Sequence, residues 1–117
     1  MKLKNLLIAG LMVAAVIGAA GAAQAEDARL FVRHEVADYG VWRKAFDGFA
    51  PTARKLGAIN GAVYQSADNA NDVTVTHDFH SVAKAKAFAA SPELKAAMGK
   101  AGVKGAPQIW ITTKSMK

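Results

Sequence analysis

The stretch ARLFVRHEVADYGVWRKAF, residues 28–46, contains a change of hydrophobic period, and that change decides the fold. From Ala28 to Val36 the pattern alternates. Leu30, Val32, His34 and Val36 fall on one face, and Phe31, Arg33 and Glu35 on the other. A period of two belongs to a strand, because successive side chains leave a pleated backbone on opposite sides. From Asp38 onward the spacing becomes three and four. Tyr39, Trp42, Phe46, Phe49, Ala53 and Leu56 form one apolar stripe along a helix, with Asp38 at its N-cap and Gly57 at its C-terminal stop. Pro51 lies inside this pattern without an amide N–H to donate, so a kink or split is expected near Phe49.

Working toward the C-terminus, Ile59 to Ser66 reads as a second strand, and Ala67 to Asp72 is rich in turn residues. Val73, Val75, His77 and Phe79 alternate with Thr74, Thr76 and Asp78 to give a third strand. Ser81 can cap a short helix carrying Val82, Ala85 and Phe88. Ser91-Pro92 opens another turn of helix with Leu94, Ala97 and Met98 on its buried side. Gly99 to Gly105 reads as a connection, and Gln108 to Thr113 as the last strand. The order is that of an α+β, ferredoxin-like βαββαβ domain: a four-stranded antiparallel sheet with helices on one face.

Working toward the N-terminus, the chain changes character. Lys2 and Lys4 precede an uncharged run from Leu6 to Ala23, which ends in Ala23-Gln24-Ala25. A basic start, an apolar middle and small residues before the cut describe a secretory signal peptide cleaved after Ala25. A retained membrane anchor is the alternative, since about 20 apolar residues span a bilayer. Cleavage leaves one domain, residues 26–117, exported to the periplasm or the exterior and free of the membrane. The chain has no cysteine, which excludes thiol catalysis, thiolate metal sites and disulfides. Such a small domain must be held by its core or by a partner subunit. The formal charge of +6 falls to +4 without Lys2 and Lys4, and the remaining basic residues are scattered. A nucleic-acid partner, which calls for a clustered basic stripe, is not expected.

If the purely apolar positions face the helices, the opposite sheet face holds Phe31, Arg33, Glu35, Tyr64, Thr74, Thr76, Gln108, Trp110 and Thr112. Aromatic residues with a polar surround describe an association surface. Phe31, Tyr64 and Trp110 are therefore expected at the interface of a sheet-to-sheet homodimer. The alternative is that Phe31 and Trp110 lie under the chain ends.

Val32-Arg33-His34-Glu35-Val36-Ala37-Asp38-Tyr39, leading into Trp42-Arg43-Lys44-Ala45-Phe46, resembles the opening of domains of the antibiotic-biosynthesis-monooxygenase type. So do residues Phe88 to Met98 and the run from Gly102 to Pro107. The likeness covers nearly all of the chain after residue 25. It implies a dimeric α+β barrel and a ligand pocket between helices and sheet. Members of that superfamily include cofactor-free oxygenases of quinol-like aromatics, haem-degrading enzymes and proteins without assigned activity. Fold alone carries no function across.

Two polar residues interrupt the helix-facing side of the sheet, His34 and His77. If Val32 and Val75 are buried together, the imidazoles are expected about 7 Å apart, one diagonal cross-strand spacing. Trp42 and Phe46 from the helix would close over them and, with Phe79, exclude water from a bound ligand. An apolar cavity with a few converging polar groups is the usual form of a small-molecule site, and histidine suits general-base work near neutral pH. A pair of core histidines, bonded to Tyr39 or to backbone carbonyls, is the structural alternative. No metal is expected: His77 and His80 point to opposite faces, and two imidazoles fall short of a three- or four-ligand site. The chain has no phosphate-binding glycine loop, nucleophile elbow or dinucleotide fingerprint. The expected function is the binding of a small aromatic or apolar molecule, and its oxidation by molecular oxygen with no bound cofactor. A non-catalytic module of the same fold and a haem-binding protein, with His77 as axial ligand, are the alternatives.

Overall fold

The computed structural model describes residues 27–114; the leader read over residues 1–25 lies outside the described residues. Strand β1 (Ala28–Val36) realises the alternation residue by residue, burying Ala28, Leu30, Val32, His34 and Val36 and exposing Arg29, Arg33 and Glu35. Helix α1 (Tyr39–Lys55) starts where the period changes. The Asp38 carboxylate accepts the Val41 N–H at 3.0 Å, satisfying one of the first-turn donors that have no partner within the helix. At the other end the Ala58 N–H donates to the Ala53 carbonyl and the Gly57 N–H to the Arg54 carbonyl, each at 3.0 Å. This Schellman closure requires a left-handed residue, and Gly57 supplies it with φ of 109°.

The split expected near Phe49 is corrected: α1 runs as one 17-residue helix through Pro51. The ring removes one backbone donor, but the apolar stripe continues on both sides. Trp42 before it and Ala53 after it are both buried, and that burial keeps the helix continuous.

Strand β2 (Asn60–Gln65) and strand β3 (Asp72–Phe79) form a hairpin; helix α2 (Val82–Ala89), helix α3 (Pro92–Lys100) and strand β4 (Val103–Thr113) follow. Ser81 and Ser91 cap α2 and α3 by accepting the N–H groups of Lys84 and Leu94. The sheet order is β2-β3-β1-β4, every neighbouring pair antiparallel. The sheet stays open, with β2 and β4 at its edges, so the chain by itself does not close into a barrel. Strand β4 begins five residues before the expected Gln108. Gly102 and Gly105 take positive φ, the pairing with β1 shifts between Arg33 and Glu35, and β4 resumes at Lys104 opposite Glu35. Pro107 is tolerated because β4 is an edge.

The core is in two parts. Leu30, Ala53, Phe79, Ala85, Phe88 and Leu94 belong to one cluster; Val36, Trp42, Val73, Val75 and Ala101 belong to the other. On the opposite face of the sheet, the Phe31 and Trp110 rings stack at 5.1 Å and are parallel to within 1°. Ion pairs Arg29–Asp78 and Arg33–Asp72, each at 2.7 Å, flank them. Trp110 remains 43% exposed and Tyr64 57%.

Candidate functional site

The two histidines lie at the seam between the core clusters, at opposite ends of one cavity. Val32 pairs with Val75 as expected, and both form its floor. Because the strands are antiparallel, counting on from that pair runs in opposite directions. His34 lies opposite Val73, and His77 opposite Leu30. Four residues therefore separate them along the strand, roughly 14 Å at about 3.4 Å per residue. The expected 7 Å proximity is corrected. Alternation assigned both imidazoles to the right face, but the pairing places them two diagonal steps apart.

His34 is 6% exposed, and neither ring nitrogen has a hydrogen-bond partner among the described residues. The Trp42 ring meets it edge-on at 5.7 Å. A buried polar atom without a partner costs about 1–3 kcal/mol, so His34 is not the hydrogen-bonded core residue of the structural alternative. His77 is 7% exposed, stacked on Phe46 at 6.0 Å and edge-on to Phe88 at 5.1 Å. Phe46 in turn stacks on Trp42 at 5.1 Å. The rings run His34, Trp42, Phe46, His77 along the cavity wall, presented by α1 at positions 42 and 46, one helical turn apart.

Burial pushes the pKa of both imidazoles below the ordinary histidine value; for His77 the neighbouring Asp78 carboxylate opposes this in part. Desolvation disfavours the charged form of a base. The neutral, proton-accepting form is favoured in both rings.

Helix α3 closes the cavity with Leu94, Ala97 and Met98, and α1 adds Phe49. These side chains fall on the helix faces that the sequence marked as apolar, but their part in a site had no signal beyond that periodicity. Phe79 does not belong here. It is fully buried beneath α2, opposite Ala28, with its ring 5.2 Å from Phe88. Two residues beyond His77, it has passed the end of the cavity. Trp42 and Phe46 do line it. Phe31, Tyr64 and Trp110 all lie on the opposite sheet face.

The cavity is small, about 40 Å³. One water takes about 10–15 Å³ on this measure, and a dry apolar cavity of about 150 Å³ is known to take up benzene. Water molecules or a diatomic gas fit between the histidines, while an aromatic ring does not. A haem is larger still, so the haem-binding alternative does not fit this cavity. Among the described residues no three His, Cys, Asp or Glu side chains gather around a common point where a metal would sit. His80 lies at the surface, 3.7 Å from Asp27.

The same layout occurs in solved proteins. A candidate antibiotic biosynthesis monooxygenase from Bordetella bronchiseptica matches with a TM-score of 0.68 at 13% identity, over 78% of this chain and 99% of that one. SnoaB from Streptomyces nogalater, a cofactor-independent oxygenase, matches at 0.64 and 14% identity, over 80% and 97%. A further candidate antibiotic biosynthesis monooxygenase, from Caulobacter crescentus, matches at 0.62 and 19% identity, over 79% and 92%. The chain has their fold. No family model matches it, and no curated protein matches it in sequence. At these identities the shared property is the ferredoxin-like architecture, and chemistry must come from the side chains of this chain.

Proposed function

We propose that this protein binds a small aromatic or largely apolar molecule beside the histidine-lined seam, against His77, and oxidises it with molecular oxygen, without a bound cofactor. The observation that carries this reading is His34: buried, held toward its neutral form by that burial, and without a partner for either nitrogen among the described residues. A core position has no reason to keep such a group, since an apolar side chain of similar size would avoid the cost.

The chemistry uses an activated carbon on the substrate. A quinol-like ring in its keto form carries a CH₂ flanked by electron-withdrawing groups. A neutral imidazole removes one proton from it and leaves a delocalised carbanion. The carbanion adds to O₂, forming the C–O bond, and proton return from the imidazolium gives a hydroperoxide. Loss of the second C–H proton with O–O cleavage leaves a carbonyl and releases water. One oxygen atom enters the substrate and the other leaves as water. Both electron pairs come from the substrate, so no external reductant is required. The aromatic wall of Trp42 and Phe46 would keep water from the reacting anion.

Export follows from the residue 1–25 pattern, and we include it in the proposal together with a homodimer formed through the Phe31–Trp110 face. The test is oxygen uptake with quinol-like substrates. Wild type should consume one O₂ per product, with His34→Ala and His77→Ala reduced at least about a hundredfold, the lower range of a general base. No uptake with any quinol would leave a non-catalytic module. The small cavity is the observation that favours that second reading.

A further inference from the structure

His77 forms the wall of a second chamber. This one lies between α1 and edge strand β2, has a volume of about 190 Å³, and shares Phe46, Phe49 and His77 with the smaller cavity. It reaches the imidazole because of Gly61. Gly61 pairs with His77 across the sheet, and a Cβ at that position would come within 3.3 Å of His77 Nδ1. The backbone there does not take positive φ. A strand glycine in an ordinary conformation costs about 0.5–1 kcal/mol relative to alanine, and here it leaves open space beside a buried base.

Size and chemistry narrow the occupant. With benzene accommodated in about 150 Å³, this chamber takes one ring with a small substituent. Its walls are mostly apolar, from Phe46, Phe49 and Ala53. The only formal charge in the lining, His77 aside, is Arg54 in the last turn of α1. A guanidinium at the edge of an apolar slot matches a carboxylate, which it can bind through two parallel hydrogen bonds.

We infer that the chamber between α1 and β2 binds a single-ring aromatic acid, with its ring against Phe46 and Phe49, its carboxylate at Arg54 and a ring hydroxyl toward His77, and that Gly61 sets this specificity. The inference rests on the proposal that His77 meets the substrate, and adds where the ring sits and what it carries. The smaller cavity on the far side of Phe46 then keeps room for a diatomic such as O₂ rather than for the ring.

The test is an amide NMR titration of the protein with 4-hydroxybenzoate, phenol and benzoate. 4-Hydroxybenzoate should move the amides of Ala58, Asn60 and Gly61. Arg54→Gln should weaken it about tenfold and leave phenol unchanged. Gly61→Ala should weaken all three at least about tenfold without lowering the melting temperature, since alanine suits a strand better than glycine; Gly61→Val extends the series if it folds. Shifts confined to Val32, Ala97 and Ala101, with Gly61→Ala binding normally, would overturn the chamber and leave the histidine site standing. Equal binding of phenol and 4-hydroxybenzoate, untouched by Arg54→Gln, would overturn the acid. If none of the three shifts any amide, the chamber is overturned, and oxygen uptake with quinols still decides the proposed function on its own.

Discussion

A buried imidazole with neither nitrogen partnered among the described residues is a cost that can be measured. His34→Leu keeps the volume and removes both polar atoms, so stability should rise by about 1 kcal/mol or more. For a domain of this size that is roughly 4–8 °C in melting temperature, and any oxidation should be lost with it. A drop in melting temperature would mean that the imidazole is satisfied after all. The same residue sets a pH dependence. Burial lowers the pKa of His34 and His77 in the folded chain. Below the ordinary value of 6.5 the unfolded chain takes up protons that the folded chain refuses. Stability is therefore full above that pH and falls as pH drops through it, by up to about 1.4 kcal/mol per unit for each histidine. Asp72 and Asp78, held below the usual carboxylate range by Arg33 and Arg29, act in the same direction at lower pH, below the ordinary 3.8. Denaturant unfolding between pH 7 and 5 should show this slope in wild type and a shallower one in His34→Leu; equal slopes would remove His34 from the explanation. At this scale the sequence was legible in part. Alternation marks the face of each histidine, but the separation depends on which way the register runs, and that is set by pairing with a distant strand.

At the scale of elements, the ends of α1 are written in single residues. Asp38→Ala removes the acceptor for the Val41 N–H and should cost about 1 kcal/mol. Gly57→Ala forces a side chain into left-handed backbone and should cost about 1–2 kcal/mol. Urea unfolding at constant m-value checks both; no change in Gly57→Ala would mean that the turn has relaxed. These caps, with those at Ser81 and Ser91, were legible because each acts on its own helix. Pro51 and β4 were less so, for a shared reason. A local breaker signal is outweighed by burial on both sides in α1, and in β4 Val103 and Lys104 pair with β1 beyond a register shift at Gly105–Pro107 that alternation does not encode.

At the scale of the molecule, one sheet face carries helices and the other carries a parallel Phe31–Trp110 stack, with an exposed Tyr64 on edge strand β2. With no disulfides and no third layer among the described residues, a second copy is the natural cover for that face. Wild type should sediment as a dimer and Trp110→Asp as a folded monomer; a monomeric wild type would contradict this. Both edge strands end the sheet within one chain, so the barrel implied by resemblance would take that second copy. The face assignment was legible from the sequence, whereas the narrowness of the seam depends on how α1 and α3 meet above it. The most direct test of a ligand site at that seam is a thermal-shift screen of wild type, His34→Ala and His77→Ala against phenols, quinols and aromatic acids. A compound that raises the melting temperature of wild type and of neither variant is the predicted result. If no compound stabilises wild type beyond the two variants, the histidines are core residues and the site does not exist.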